Sequence, residues 1–513
     1  MSSIMKTILF VLNGIFSFPL YLIFIILCLP IYIYRLLIIL WVKYFYNDEF
    51  GDILSAISAM FAVELLPSKK VYPPRTAICV QMVLDGKLTV EEMEDIINKN
   101  WLRNNSYSRL KQYVEPFMGF MFWKRDTEFN LKNHLKSHTL ENNDENQMDV
   151  DQKVCQFLEK LLNKQFKPKT SPWEFYIINN YKNEQLKNQC AKEEMTLLIF
   201  RIHHSLADGF SILYTVIEDL FETPLPKIAP ATPKLSATQK IMFAFSTLFR
   251  IPQDYAKFVG LPLYPRTPLY TPDERRECEL LYERNVSIPL QRVKDIKNKL
   301  GVSFTGVLLT TVSAAIAKTL FQLQKKKGGN IESFDKTPFG FPLPAPRTSK
   351  KLENSATAAI LELPTKLELN SMERLQEVER LLVRAKTTTF PLIVPVIVKT
   401  VGYLFPFMTK YLTKNRFIPA GFSSFPGPQI DIYVRGKKIL MMDGLGGIHN
   451  GTMGVGFLIL SFGSVIRIGA MAVDGTINRK ELKELLRYIR EELDSLEKFA
   501  KANCHISAEK KVL

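Results

Sequence analysis

Hydrophobic positions follow three patterns along the chain. The first is a run of 27 uncharged residues, 8–34, whose apolar character resumes at 36–42 after Arg35. In the rest of the chain, short apolar runs with strand periodicity alternate with amphipathic segments of helical periodicity, which favours mixed α/β lobes. No repeat of 20–50 residues is visible, which excludes solenoids and propellers. The predicted strands are 77–84, 175–178, 196–202, 278–288, 339–343, 358–363, 430–434, 455–461 and 466–472, and the predicted helices are 90–101, 154–162, 210–221, 290–300, 305–320, 371–386 and 479–499.

The first pattern predicts a membrane segment. As a helix, the uncharged run measures roughly 40 Å, more than the roughly 30 Å of a hydrocarbon core. A cleaved signal peptide has an apolar region of about 7–15 residues followed by a small-residue cleavage site, and neither is present. We therefore expect residues 1–45 to form a retained N-terminal membrane anchor. Either a single helix or a re-entrant hairpin that turns at Pro19 or Pro30 fits the pattern.

Proline-rich residues 222–233 mark the expected boundary between two lobes. We predict an N-terminal lobe at 46–222, a linker at 223–270 and a C-terminal lobe at 271–513. The linker contains a basic and aromatic stretch, 240–250, that either contacts a membrane or bridges the lobes. Residues 390–408 are strongly apolar but contain three prolines and Lys399, so we expect an interfacial or core-capping segment rather than a span.

Composition and charge indicate the class of protein and the kind of partner it binds. The chain is 47% hydrophobic and 23% charged, which is typical of a globular protein. Its net charge of +16 indicates an anionic partner, which on charge alone is nucleic acid, anionic lipid or a phosphorylated small molecule. The six cysteines form no Cys-x-x-Cys pair, so neither a disulfide framework nor a zinc site is indicated.

The string His203-His204-Ser-Leu-Ala-Asp208-Gly209 carries the candidate chemistry, and we take His203, His204, Asp208 and Gly209 as the candidate catalytic residues. It follows a predicted strand whose alternation places His204 on one apolar face and His203 on the other. A neutral imidazole in apolar surroundings is suited to act as a general base, and we assign that role to His204. Asp208 stands where a helix N-cap belongs, and Gly209 permits a tight turn. The alternative is that both histidines are structural.

Several other site types are excluded by the pattern. Adjacent histidines on a strand point to opposite faces, and no third clustered ligand accompanies them, so we expect no metal site. The chain has no glycine-rich phosphate loop after a strand and no Gly-x-Ser-x-Gly elbow, which excludes P-loop and serine hydrolase chemistry. No basic and aromatic nucleic-acid motif occurs, and we expect no nucleic-acid partner.

The motif resembles the His-His-x-x-x-Asp-Gly signature of the CoA-dependent acyltransferase superfamily. Further matches follow in order, and they resemble its wax ester synthase/diacylglycerol acyltransferase branch. The matching segments are 129–134 (family pattern Phe-Asp-Leu-x-x-His), Ser171-Pro172-Trp173-Glu174 (Pro-Leu-Trp-Glu), 424–428 (Asn-Val-Pro-Gly-Pro) and 454–474.

Two positions depart from the family pattern. The Asn-Asp pair that opens a helix in the second lobe appears here as Thr305-Gly306, and the Asn before Val-Pro-Gly-Pro is Ser424. Hydroxyl groups replace amides at both places, and a hydroxyl can still donate a hydrogen bond. By resemblance, Thr305 or Ser424 would face the oxyanion, Pro172 and Trp173 would lie near substrate, and Arg347 would pair with Asp208.

The resemblance implies an α/β fold of α+β two-layer sandwiches, in which two similar lobes with mixed sheets meet at a tunnel that holds His204. It implies acyl transfer from acyl-CoA, as substrate and without a cofactor, to a lipid alcohol: fatty alcohol, diacylglycerol or both. With the anchor, it predicts membrane lipid as a partner and a place in the endoplasmic reticulum or plasma membrane, with the catalytic lobes in the cytosol. A catalytically weak or inactive lipid-binding or acyl-CoA-binding protein of the same fold is the alternative. A third possibility is an acyltransferase that uses a small amine or sugar.

Overall fold

A computed structural model describes most of the chain. The described residues are 3–67, 72–140, 149–192, 194–225, 266–271, 277–327, 333–343, 351–355, 357–448 and 451–509, together with 236, 238, 241 and 254. Much of the predicted linker, including most of 240–250, lies outside them. So does Arg347, the predicted partner of Asp208.

The N-terminal half folds around a six-stranded mixed sheet. Its central strands are buried along their whole length, which explains their continuous apolar sequence. One helix starts at a capping box in which Thr89 and Glu92 each accept a backbone hydrogen bond from the other residue. The elements are β2 (Ala77–Asp85), α3 (Val90–Ile97), β5 (Leu135–Ser137), α4 (Val150–Asn163), β6 (Trp173–Tyr181), α5 (Glu184–Lys187), β7 (Met195–His203) and α6 (Gly209–Ser211), which continues as a π turn (Ile212–Ile217) and a 3-10 turn (Glu218–Leu220).

Two strands of this sheet come from the C-terminal half of the chain. The sheet order is β12-β13-β2-β7-β6-β5, with β12 (Tyr433–Val434) and β13 (Lys437–Gly446) at one edge. β13 pairs antiparallel with β2, with Met442 opposite Met82. The division into 46–222 and 271–513 stays a prediction about domains, but the first sheet needs residues from both segments.

The C-terminal half builds a second six-stranded mixed sheet, of order β10-β9-β11-β14-β15-β8. The long α8 (Phe304–Lys327) is largely buried in the core of this half and packs against the terminal helix. Gly301 ends α7 (Leu290–Leu300) in a left-handed conformation that glycine adopts without strain. The elements are β8 (Leu280–Pro289), α7 (Leu290–Leu300), α8 (Phe304–Lys327), β9 (Lys336–Leu343), β10 (Thr357–Pro364), α9 (Ser371–Thr387), α10 (Phe390–Gly402), α11 (Pro406–Leu412), β11 (Ala420–Pro426), β14 (Val455–Phe462), β15 (Val465–Val473) and α12 (Arg479–Glu509).

β14 joins the cores of the two lobes. Its residues Leu458, Leu460 and Phe462 pack in the N-terminal core, whereas Phe457 and Ile459 pack in the C-terminal core. Both faces of one strand are therefore buried against different lobes, as strand alternation allows. The predicted fold, two α/β lobes with mixed sheets, is confirmed.

The N-terminal apolar run forms one unbroken helix, α1 (Ser3–Phe45). It passes Pro19 and Pro30 without turning back, so the hairpin alternative is wrong for this segment. At about 1.5 Å per residue its 43 residues extend roughly 65 Å. Residues Phe18–Phe45 are long and apolar enough to cross a membrane, with a mean hydropathy of 2.6.

The C-terminal part of α1 packs against the lobes. Ile38 and Val42 join a small cluster with a three-stranded sheet of order β1-β4-β3. Tyr21 and Tyr32 hydrogen-bond Thr400 of α10. The remaining elements near this contact are β1 (Phe50–Ile53), α2 (Ala56–Ala62), β3 (Gln112–Phe117) and β4 (Phe120–Arg125).

Candidate active site

The candidate motif begins at the end of β7. This strand lies between β2 and β6, with His203 opposite Ala77 and Ile202 opposite Trp173. Leu198, Phe200 and Ile202 pack in the main N-terminal core, and the alternate residues pack in a separate cluster. The alternation predicted from the sequence is confirmed, and His204 follows directly after the last strand residue.

Asn354 holds the His204 imidazole. Its Nδ2 donates to the carbonyl oxygens of His204 (2.7 Å) and Ser205 (3.1 Å), and its Oδ1 lies 3.1 Å from His204 Nδ1. Carbonyl oxygens only accept hydrogen bonds, so this amide orientation is fixed and Oδ1 must accept from Nδ1–H. The proton therefore resides on Nδ1, and Nε2 is the basic atom of His204.

Burial keeps the His204 ring neutral. Phe61 of α2 stacks on it, with ring centroids 3.9 Å apart. Burial lowers the pKa of His204 below its ordinary value of 6.5, and the negative charge of Asp208 opposes that effect without overcoming it. The imidazole is thus unprotonated at neutral pH, which a general base requires.

His203 faces the opposite side of the strand and serves the structure. Its Nδ1 accepts from the Ser205 backbone N–H at 3.1 Å, and its Nε2 lies 2.9 Å from Glu64 Oε1. Burial tends to raise the pKa of Glu64, but hydrogen bonds from His203, Thr76 and Arg75 outweigh burial and hold that pKa below its usual value. The motif makes His203 a candidate catalytic residue, but the structure buries it and gives it an anchoring role instead.

Asp208 fixes the loop that follows the motif. Its Oδ1 accepts from the backbone N–H of Ser211 at 2.8 Å, so the predicted N-cap is confirmed. Its Oδ2 accepts from the backbone N–H of Ser355 at 2.8 Å. The same carboxylate therefore ties the loop to the segment of the C-terminal half that carries Asn354.

Gly209 is needed for a close contact. A Cβ at this position would lie 2.5 Å from Phe425 Cζ. Its backbone does not have the positive φ of a left-handed turn, so the expected turn role is replaced by the approach of Phe425. Phe425 belongs to the 424–428 segment, and its ring also lies 4.9 Å from that of Phe210.

Ser424 lies next to the motif but on the other face of its strand. It stands opposite Ile459, whose side chain belongs to the C-terminal core, whereas the adjacent Phe425 packs toward the N-terminal core. Thr305 lies in the first turn of α8, half-buried. Among the described residues, neither hydroxyl forms a hydrogen bond with the motif, and their oxyanion role stays a prediction.

The start of α8 is fixed by a different set of residues. Glu379 accepts from the backbone N–H and the hydroxyl of Ser303, and the Ser303 hydroxyl accepts from the Gly306 N–H. A Cβ at Gly306 would overlap the Glu379 carboxylate. Thr305-Gly306 stands where the family has an Asn-Asp pair, and Gly306 leaves room for the Glu379 carboxylate.

Pro172 and Trp173 support the motif strand. The Pro172 carbonyl accepts from the His203 backbone N–H at 2.9 Å. Trp173 is fully buried, its indole N–H donates to the Leu110 carbonyl at 2.9 Å, and its ring stacks on His134. The predicted substrate role of Trp173 is therefore replaced by a place in the core, while Pro172 lines a neighbouring cavity.

That cavity, of about 390 Å³, is lined by Pro172 and by Glu64, the partner of His203. A smaller cavity shares Val63, Glu64 and Lys410 with it and reaches Phe61, the ring that stacks on His204. The two cavities therefore share part of their walls, and the smaller one is lined by the ring that stacks on His204. The larger cavity is lined by four cationic side chains, Arg75, Lys167, Lys169 and Lys410.

Two important site residues carry no signal in the sequence. Asn354 lies 150 positions after His204, in a polar segment without a recognisable pattern. Phe61 belongs to a seven-residue helix that follows the anchor. Among the described residues, no group of three or more His, Cys, Asp or Glu side chains is placed to hold a metal ion.

Comparison with known proteins finds a match for the segment that carries Asn354. Residues 352–497 match the model of the WS/DGAT C-terminal domain. Sequence comparison with curated proteins finds no match.

Solved structures resemble the two lobes of this chain together. The wax ester synthase/diacylglycerol acyltransferase from Marinobacter aquaeolei VT8 matches with a TM-score of 0.57 at 15% identity, over 88% of this chain and 100% of that one. TRI3 trichothecene 15-O-acetyltransferase from Fusarium sporotrichioides matches with a TM-score of 0.56 at 10% identity, over 86% of this chain and 94% of that one. A variant of the starter condensation domain of rhizomide synthetase, in complex with C8-CoA, matches with a TM-score of 0.52 at 12% identity, over 88% and 95%. At these identities the likeness establishes the fold.

Proposed function

We propose that this protein is a membrane-anchored O-acyltransferase that transfers a long-chain acyl group from acyl-CoA to a lipid alcohol. The observation that carries the proposal is the state of His204: neutral, oriented by Asn354 and basic at Nε2. The match of residues 352–497 to the WS/DGAT C-terminal domain supports this reaction class.

In the proposed reaction, Nε2 of His204 accepts the hydroxyl proton of the alcohol while the alcohol oxygen attacks the thioester carbonyl carbon. The tetrahedral intermediate then loses the CoA thiolate as the carbon–sulfur bond breaks, and His204 returns the proton to that sulfur. Asn354 Oδ1 accepts from Nδ1–H throughout, so it stabilises the imidazolium that forms between the two proton transfers. Thr305 remains a candidate donor to the oxyanion, whereas Ser424 faces the C-terminal core, and no covalent acyl-enzyme is required.

The charge beside the site supports acyl-CoA as donor. CoA carries phosphate groups, and the larger cavity has Arg75, Lys167, Lys169 and Lys410 in its wall. Its one acidic lining residue, Glu64, is already bonded to His203 and Thr76. The excess of cations therefore favours an anionic substrate at this cavity.

The apolar α1 supports a lipid acceptor. A fatty alcohol or diacylglycerol partitions into a bilayer, and an enzyme anchored there meets it at high local concentration. We propose that α1 anchors the protein in the endoplasmic reticulum or plasma membrane, with both lobes in the cytosol, where acyl-CoA is available. A small soluble acceptor would give no reason for such an anchor.

The decisive experiment is an acceptor panel. Full-length protein in vesicles is given labelled acyl-CoA with fatty alcohol or diacylglycerol, and labelled ester is measured. His204→Ala should lower the rate by roughly 10²–10⁴-fold, the usual contribution of general acid–base catalysis. His138→Ala is the matched control, because His138 lies in the same lobe but packs against Phe157 outside the motif.

The outcomes separate enzyme from binding protein. Ester formation that depends on His204 supports the acyltransferase. If wild type and variant both bind acyl-CoA but form no ester with either acceptor, the protein is a non-catalytic binding protein. The departures from the family pattern at Thr305-Gly306 and Ser424 are the reason for considering this alternative.

A further inference from the structure

Two short helices beside α1 expose apolar side chains that the lobes do not cover. On α10, Leu392 and Val396 are 49% and 52% exposed; on α11, Phe407 and Tyr411 are 71% and 65% exposed. Residues four apart lie on one face of a helix, so each pair forms a stripe. We call these two stripes the α10–α11 surface.

This surface continues the surface of α1. Thr400, one turn beyond Val396, accepts hydrogen bonds from α1: its carbonyl binds the Tyr32 hydroxyl at 2.8 Å, and its own hydroxyl lies 2.9 Å from that of Tyr21. Phe405, directly before α11, packs against Tyr34 of α1 and stacks with Phe407. The exposed stripes therefore border the helix that is long and apolar enough to cross a membrane.

The charges around the α10–α11 surface have one sign. Between residues 390 and 417 the sequence contains four cations and no acidic residue. Lys399 and Lys410 are exposed, and Arg416 lies over the Tyr411 ring at 4.4 Å. An apolar face with basic residues at its edge is the pattern of helices that lie in the interface of a bilayer with anionic lipid.

We infer that the α10–α11 surface inserts into the bilayer beside α1 and forms a second membrane contact. α1 alone would leave the lobes able to turn about its axis. A second contact at α10 and α11 fixes their orientation, with the basic side chains at the level of the headgroups.

The second contact brings the site to the membrane. At the end of α10, Gly402 packs against the backbone of Ala56 in α2, and Phe61 at the other end of α2 stacks on His204. One short helix therefore separates the inserted surface from the base. If the proposed acyl transfer is correct, the alcohol enters from the bilayer past α2; the membrane contact itself does not depend on that reaction.

The contact is tested by depth-dependent quenching. Full-length Val396→Trp is incorporated into phosphatidylcholine vesicles with or without phosphatidylserine, and its fluorescence is compared with wild type after substitution of brominated lipid. Insertion predicts that the added tryptophan is quenched. Leu367→Trp is the matched control, because Leu367 is 41% exposed but follows the end of β10 away from α10. Val396→Trp fluorescence unaffected by brominated lipid would overturn the inference.

A kinetic experiment tests whether the membrane contact of the α10–α11 surface helps the alcohol acceptor to reach the site. Leu392→Asp/Val396→Asp should reduce transfer to a vesicle-borne alcohol about tenfold or more, since aspartate is expelled from lipid, and leave transfer to a short, water-soluble alcohol unchanged. Leu367→Asp should affect neither. Equal losses with both acceptors would overturn the proposed entry route. Absence of transfer by wild type to any acceptor would overturn the proposed function, while the quenching result still decides the membrane contact.

Discussion

Asn354 determines both the orientation and the tautomer of His204. Its amide donates to two backbone carbonyls, and this leaves its oxygen facing the imidazole Nδ1–H. The base and its orienting residue come from different halves of the chain. The proposed reactive state of His204 therefore requires the segment around Asn354 to be docked on the motif.

Substitution of Asn354 tests this role. Asn354→Ala removes a hydrogen bond to a group that becomes charged, worth about 1.5–3 kcal/mol, so kcat should fall by roughly ten-fold or more. Asn354→Asp still accepts from Nδ1–H but places a negative charge beside the ring, and it should shift the acidic limb of the pH–rate profile to higher pH. Rates and profiles measured with one acceptor check both effects. Unchanged kcat in Asn354→Ala would contradict the positioning role.

The lowered pKa of His204 predicts the pH dependence of the reaction. The base acts when neutral, so activity is retained above its pKa and lost as pH falls through it; the limb in kcat/KM should lie below 6.5, the ordinary histidine value. The negative charge of Asp208 raises the pKa of His204, so Asp208→Asn should move the limb to still lower pH. A limb above 6.5 in wild type would contradict the buried, neutral ring. The melting temperature of the variant serves as the control for folding.

At this scale the sequence predicts part of the site. His204, its apolar face and the Asp208 cap follow from local rules of strand alternation and helix capping. Asn354 and Phe61 do not, because the contacts that give them a role join residues 150 and 143 positions apart in the chain. The function of Gly209 also depends on a distant residue, since its missing side chain makes room for Phe425.

At the scale of elements, the contact of α10 with α2 governs the position of Phe61. A Cβ on Gly402 would lie 2.5–2.8 Å from backbone atoms of Ala56, which cannot move aside as a side chain tip could. The sequence predicts an interfacial or core-capping segment here. The structure shows both features on different faces of one helix: Ile393 is buried, whereas Leu392 is exposed.

Gly402→Ala tests this helix contact. The added methyl group must separate α10 from α2, at a cost of about 1–3 kcal/mol, so the melting temperature should fall and acyl transfer should decline with it. Gly340→Ala in β9 is the control, because its added Cβ would meet its neighbours at ordinary distances of 3.5–3.9 Å. Equal melting temperatures for the two variants would show that α10 can move away from α2 at Gly402 without loss of stability, and would contradict this prediction.

At the scale of the whole molecule, the lobes share strands rather than only an interface. β13 lies in the C-terminal half of the sequence, yet it pairs with β2 at the edge of the N-terminal core. The sequence predicts two lobes because the proline-rich segment interrupts its pattern, but strand pairing across more than 350 positions has no local signature. The short apolar run 439–442 within β13 is compatible with either sheet.

The shared strand predicts that a substitution in the C-terminal half will destabilise the N-terminal lobe. Met442 of β13 is fully buried opposite Met82, and truncation of a buried methionine to alanine costs about 2–5 kcal/mol. All four tryptophans, at 41, 101, 123 and 173, precede the linker, so their fluorescence reports unfolding of the N-terminal part alone. Met442→Ala should therefore lower the denaturant midpoint of the tryptophan signal in detergent-solubilised protein, whereas Leu367→Ala, at an exposed position, should leave it unchanged. If the tryptophan transition of Met442→Ala coincides with that of wild type, β13 lies outside the cooperative unit of the lobe that contains His204, and the lobes fold as independent units.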